Sequence, residues 1–148
     1  MRVAPIGIFS AAHPRLLDLE HAGYLAGHAA DITHKHPLST YSSMALAMIV
    51  ADCIVHDNVD QEKFRFIVIS RIFKLLGLYF KEEKSLSELS VLIQKAMELA
   101  VSDKTDTDAI REFGEGWVAE ETLAIAVFSV MRYIDDFEKD RHASWHMC

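Results

Sequence analysis

The chain has 148 residues and a net charge of −7, with 51% hydrophobic and 25% charged residues. That length suits one domain, which at this size buries roughly 70% of its unfolded surface, and the composition excludes a disordered chain. The acidic balance excludes a general nucleic-acid binder, which needs a basic face.

Pro5 fits the first turn of a helix predicted through Ala11. Pro5 and Gly7 interrupt its apolar run too soon for a signal peptide, and His13-Pro14 breaks it. A second helix is predicted from Asp18 to His34. It places Leu19, Ala22, Ala26, Ala29 and Ala30 on one face, with His21 and His28 elsewhere. Pro37 restarts the chain, and Ser39 or Thr40 caps a third helix to His56. That helix is apolar on nearly all sides, as the central helix of a bundle is. Its uncharged run, Leu38 to Ala51, ends at Asp52 and is too short to cross a bilayer, so no membrane span is expected. Asp57-Asn58 stops it.

Asp60 caps a fourth helix. Lys63 stands where a capping box needs an acid, so no full box forms. Phe64, Ile67, Val68, Ile72, Leu75, Leu76 and Tyr79 carry this helix at helical spacing, although KFRFIVISRIF is rich in β-formers. Ser85 to Val101 is a fifth helix, with Ser85 and Glu88 as a capping box. DKTDTD is a loop. Ala109 to Phe113 is a short helix stopped by Gly114, and Val118 to Tyr133 is the last helix. There is no internal repeat. The two cysteines, Cys53 within an apolar run and Cys148 at the end, give no disulfide framework, so a reducing cytoplasm is the expected compartment.

The stretch Gly114 to Ala126, GEGWVAEETLAIA, carries the most chemistry. A Gly-x-Gly turn running into a helix start brings unpaired backbone N–H donors and the positive end of a dipole to one place, which suits a phosphate or carboxylate. By themselves, the glycines simply end one helix and Trp117 is core. Glu120 and Glu121 lie in the first turn, where the dipole favours acids. Arg2 can grip a diphosphate in a bidentate way or form a salt bridge that fixes the first helix, and the salt bridge is expected. His28, Asp31 and His34 fall at i, i+3 and i+6, but with no fourth ligand they read as a solvated polar face and not a zinc site. Asp103, Asp106 and Asp108 lack the glycine of a calcium loop and read as charged surface.

Three segments in order, MRVAPIGIF at the start, ITHKHP at residues 32 to 37 and the GW stretch, together resemble the ADP-ribosylglycohydrolase family, which includes the dinitrogenase-reductase-activating glycohydrolases. The match is carried by residues 1 to 54 and 112 to 138, and residues 60 to 111 match only in helical character. The resemblance implies an all-α fold, an orthogonal multi-helix bundle truncated at both ends, spanning residues 1–148 as a single partial domain. It also implies hydrolysis of the glycosidic bond between ADP-ribose and a protein side chain or other acceptor. By the same resemblance His34 lies in the ADP-ribose cleft, with Gly114, Gly116 and Trp117 at its edge, while His36 serves the turn.

Complete family members hold two Mg2+ ions on a Ser/Thr-Asp-Asp-Thr segment before the MR motif and an Asp-x-Asp-Ser/Thr segment after the GW helix. Neither is present. Asp136 to Lys139 look like the family, and DRHASWHMC then replaces the expected helix. The expectation is therefore a chain with no catalytic residues and no metal of its own. Its expected partners are ADP-ribose or an ADP-ribosylated protein. The alternatives are a helical binding or assembly module, self-associating through exposed apolar faces, and the product of a truncated reading frame.

Overall fold

The computed structural model describes residues 2–13, 19–56, 59–79 and 84–145, without the side chains of residues 79 and 137–145. The predicted break at Pro14, the helix start at Asp18, the stop at Asp57-Asn58 and Cys148 lie outside the described residues. What is described is helix and connecting loop, with no strand. The all-α prediction holds.

α1 (Ala4–Ala12) carries Pro5 in its first turn, where the missing N–H costs nothing. α2 (Leu19–Asp31) stops three residues before the predicted end, so His34 stands in the connection and not on the helix. Ala22, Ala26 and Ala30 are buried as expected. Ala29 is exposed, and the rest of the buried face is Gly23 and Gly27. α3 (Pro37–Val55) begins with His36 in the N-cap position, making no side-chain cap bond. The expected caps, Ser39 and Thr40, are already inside the helix. The Thr40 hydroxyl donates instead to Asp31 Oδ1 at 2.5 Å, tying α3 to the end of α2.

α3 is the axis of the molecule. α1 and α2 pack along it on one side, and α6 (Lys84–Ala100) and α8 (Ala119–Trp145) approach from others. By length and apolarity α3 resembles a membrane span, contrary to the shorter run counted from sequence, but 56% of its most apolar window is buried inside the protein. Met44, Ala45, Met48 and Ile49 join one core with Phe64, Ile67, Val68, Ile72, Leu89, Ile93, Leu123 and Phe128. Each large side chain fully buried there contributes about 1.5–3 kcal/mol relative to exposure.

Close approach, more than bulk, seats α1 and α2. A Cβ at Gly7 would lie 2.4 Å from the Ala47 carbonyl oxygen, and one at Gly23 would lie 2.8 Å from Met48 Sδ.

The fourth predicted helix is three segments in line: α4 (Gln61–Arg65), a π-helical stretch (Phe66–Phe73) and α5 (Lys74–Tyr79). Asp60 caps it as expected, accepting from Lys63 N at 2.8 Å. α6 already includes Lys84, so Ser85 stands within its first turn, and Glu88 pairs with Lys84 at 3.4 Å.

Thr105 caps α7 (Asp106–Arg111), which takes up half of the predicted acidic loop. Asp106 pairs with Arg132 Nε at 3.0 Å and accepts from the Tyr133 hydroxyl, which pushes that phenol up. Arg132 also donates to the Lys104 carbonyl at 2.8 Å. These bonds pin the approach to α7 against α8. Glu112 is held below the usual carboxylate range by hydrogen bonds from Lys104 and Lys95. α8 runs to Trp145, well past the predicted end at Tyr133.

Candidate ligand cleft

The glycine turn does not form the cradle its sequence suggests. Gly114 and Gly116 have φ of +113° and +77°, a region open to glycine and strained for other residues. The Glu121 side chain folds back from α8 and accepts from Gly116 N at 2.9 Å. A Cβ at Gly114 would lie 2.3 Å from Glu121 Oε1. The chain's own carboxylate thus holds the N–H that an anionic ligand would need. Thr122 closes the turn from the other side, donating to the Gly116 carbonyl at 3.0 Å.

The turn throws Trp117 outward. It is 86% exposed, so the expectation of a core tryptophan fails. Its indole N–H donates to Glu115 Oε2 at 3.2 Å. Trp117 forms one wall of a cleft of about 830 Å³ whose other walls are the start of α1, the connection from α2 to α3 and the first turns of α3. His34, His36, Arg2, Ser43 and Glu120 also face it, while Gly114 and Gly116 are not among its lining residues. The structure therefore brings His34 and Trp117 together, distant in sequence, and sets the two glycines behind them as the support of the tryptophan.

His34 is exposed, and its Nδ1 lies 2.8 Å from Thr33 Oγ1, which orients the ring and leaves Nε2 without a partner among the described residues. His36 stands at the N-cap of α3, where the turn was expected, and also lines the cleft. Arg2 has no ion pair among the described residues, contrary to the expected salt bridge, and it is one of the residues lining the cleft. One guanidinium, two imidazoles and an exposed indole make a surface suited to a phosphorylated ligand with an aromatic base.

Divalent metal is a poorer fit. Magnesium needs near-octahedral oxygen donors, with carboxylates among them. Glu120 is the one carboxylate lining the cleft, and no group of three or more His, Cys, Asp or Glu among the described residues is placed to hold an ion. Of His28, Asp31 and His34, read from sequence as a polar face, Asp31 accepts from Thr40. Asp106 and Asp108 of the acidic cluster are engaged by Arg132 and by Thr105 and Arg111.

Sequence reasoning missed a second polar cluster. Asp52 is 1% exposed in the middle of the apolar helix α3, with Oδ1 3.1 Å from Arg71 NH1. His56 Nδ1 donates to the Asp52 carbonyl at 2.8 Å, and its Nε2 accepts from Arg71 NH1 at 3.2 Å. Both ring nitrogens are engaged. Burial pushes the Asp52 carboxyl up, against the pull of Arg71 and His56, and Oδ2 has no partner among the described residues. Beside it the Cys53 thiol is pushed up to about 11 by burial and by Asp52, which disfavours the thiolate. The available signal was one acid inside an apolar helix, since such an acid needs a partner.

The described residues thus form an all-helical fold with one cleft that gathers Arg2, His34, His36 and Trp117. A model of the ADP-ribosylglycohydrolase family matches residues 1–143, and the chain belongs to that family. The match covers residues 60 to 111 and runs past Lys139, where the sequence pattern had looked broken. No curated protein and no solved structure matches the chain.

Proposed function

We propose that the cleft between the start of α1, the α2–α3 connection and the turn before α8 binds the ADP-ribosyl group, and that this chain alone binds it without hydrolysing it. The observation that carries the reading is the convergence of His34 and Trp117 on one cleft with Arg2. Arg2 supplies a fixed positive charge and a fork for diphosphate oxygens. His34 offers Nε2 to a ribose hydroxyl or phosphate oxygen. Trp117 offers a face on which a base or ribose can stack. In the family, two magnesium ions position the ribose and activate a water. The donor set here does not fit such a pair, and no step is assigned to it.

Ligand stacked on Trp117 changes the indole's surroundings. ADP-ribose is therefore expected to quench the intrinsic fluorescence of the wild type, and Trp117→Phe to lose most of that quench. Unchanged wild-type emission at saturating ADP-ribose would overturn the placement. Incubation with magnesium and ADP-ribosylated arginine is expected to release no ADP-ribose above background. Robust turnover would show that the carboxylates present suffice for catalysis.

A further inference from the structure

The helix built from α4, the π-helical stretch and α5 buries a row of side chains that α winding cannot align. Phe64, Val68, Ile72 and Leu76 follow one another every four residues, and all four are buried in the core. An α-helix turns about 100° per residue, so Leu76 would end about 120° away from Phe64. Phe73 would point about half a turn away, and Arg71 would lie within about 20° of Phe64, on the core face. The structure shows the reverse. Phe73 is buried, and the Arg71 side chain is 38% exposed. The i→i+5 winding of Phe66–Phe73 makes the difference, because its wider turns take in more residues and bring the four side chains back into line.

The stretch thus holds one residue more than α winding needs. Ser70 lies inside it and is exposed. Counted without Ser70, an α-helix places Ile72 and Leu76 within about 20° of Phe64 and turns Arg71 about 120° off the core face. Counted with Ser70, an α-helix has a different apolar face, on which Phe64, Val68, Leu75 and Leu78 flank Arg71. Leu78 is 59% exposed in the π-wound form. Arg71 is therefore the residue that decides between the two windings. Its NH1 lies 3.1 Å from Asp52 Oδ1 and 3.2 Å from His56 Nε2. Asp52 is buried and Oδ2 has no partner among the described residues. Turning Arg71 to the core face would bury a guanidinium and take from Asp52 its ion pair, and breaking such a pair is strongly unfavourable.

We infer that the Arg71–Asp52 pair is a register lock that holds Phe66–Phe73 in the π winding, with Ser70 as the surplus residue, and so sets the rotation of α5 about its axis. With an apolar residue at 71 the stretch rewinds as α-helix, and α5 rotates by about a third of a turn.

The test is NOE spectroscopy of the full chain, labelled at methyl groups and aromatic rings, on the wild type, on Arg71→Leu and on a variant lacking Ser70. In the wild type Phe73 and Leu76 should contact core methyl groups and Leu78 should not. Leucine is as good a helix former as arginine and completes the alternative apolar face, so Arg71→Leu should fold. In it, Leu78 is expected to gain core contacts and the Phe73 ring to lose them. A wild-type contact pattern in Arg71→Leu would overturn the lock. The variant lacking Ser70 tests the surplus residue independently. It is expected to keep Phe73 and Leu76 in the core while the backbone contacts between Phe66 and Phe73 become α-helical throughout. Loss of the Phe73 core contacts in that variant, or persistence of the π pattern, would overturn the assignment of Ser70.

Discussion

Gly114 shows how one residue sets a wall of the cleft. Its φ of +113° and the Glu121 carboxylate lying against its Cα leave no room for a side chain. Gly114→Ala is therefore expected to destabilise the fold by about 1–3 kcal/mol and to blunt the ligand response of Trp117, read by urea unfolding and fluorescence. A variant as stable as wild type would contradict the described turn. Asp52 makes a second prediction at this scale, with a defined sign. Its carboxyl is raised in the folded state from 3.8, mainly by burial. The stability linked to it is fully present below 3.8 and is lost as pH rises through the raised folded value. Stability relative to Asp52→Asn should therefore increase as pH falls from neutrality and level off below 3.8, as followed by thermal unfolding across pH. The opposite slope would mean that Arg71 and His56 outweigh burial.

Helix placement was legible where period and caps agree. The Asp60 cap and the amphipathic spacing of α6 follow from residue chemistry alone, and so do Ala22, Ala26 and Ala30 of α2, though not Ala29. Three features were not legible. The π-helical stretch at Phe66–Phe73 has no local signature, because the same residues continue an α-helix at equal propensity. Gly23 and Gly27 belong to the packed face of α2, yet an apolar period counts side chains and glycine has none. The extent of α8 was cut short because its later turns turn polar. These glycine contacts give a paired prediction. Gly7→Ala meets a backbone oxygen of α3, so α1 must lift, at about 1–3 kcal/mol. Gly23→Ala meets the flexible Met48 side chain and gains helix propensity, so its cost should be under about 1 kcal/mol. Urea unfolding of the two variants decides this, and equal losses would mean that α1 and α2 are seated alike.

For the whole molecule, the fold and the cleft stand on different kinds of information. Family membership rests on the family model's match to residues 1–143, and the all-helical structure agrees with it. The sequence placed His34 and Trp117 near a ligand, but it also assigned the phosphate role to the glycine turn. Only three dimensions show that Glu121 takes up the Gly116 N–H internally. Arg2 was named from sequence as a possible diphosphate grip, but the choice between that and a salt bridge is set by tertiary packing, which leaves it no ion pair among the described residues. The measurement that bears most directly on the central claim is calorimetric titration of the full chain with ADP-ribose, beside the variants Arg2→Ala and His34→Ala. The proposed function predicts saturable binding at one site without added metal, weakened roughly tenfold or more by either substitution. No heat of binding with or without magnesium, or equal affinity in all three proteins, would contradict it.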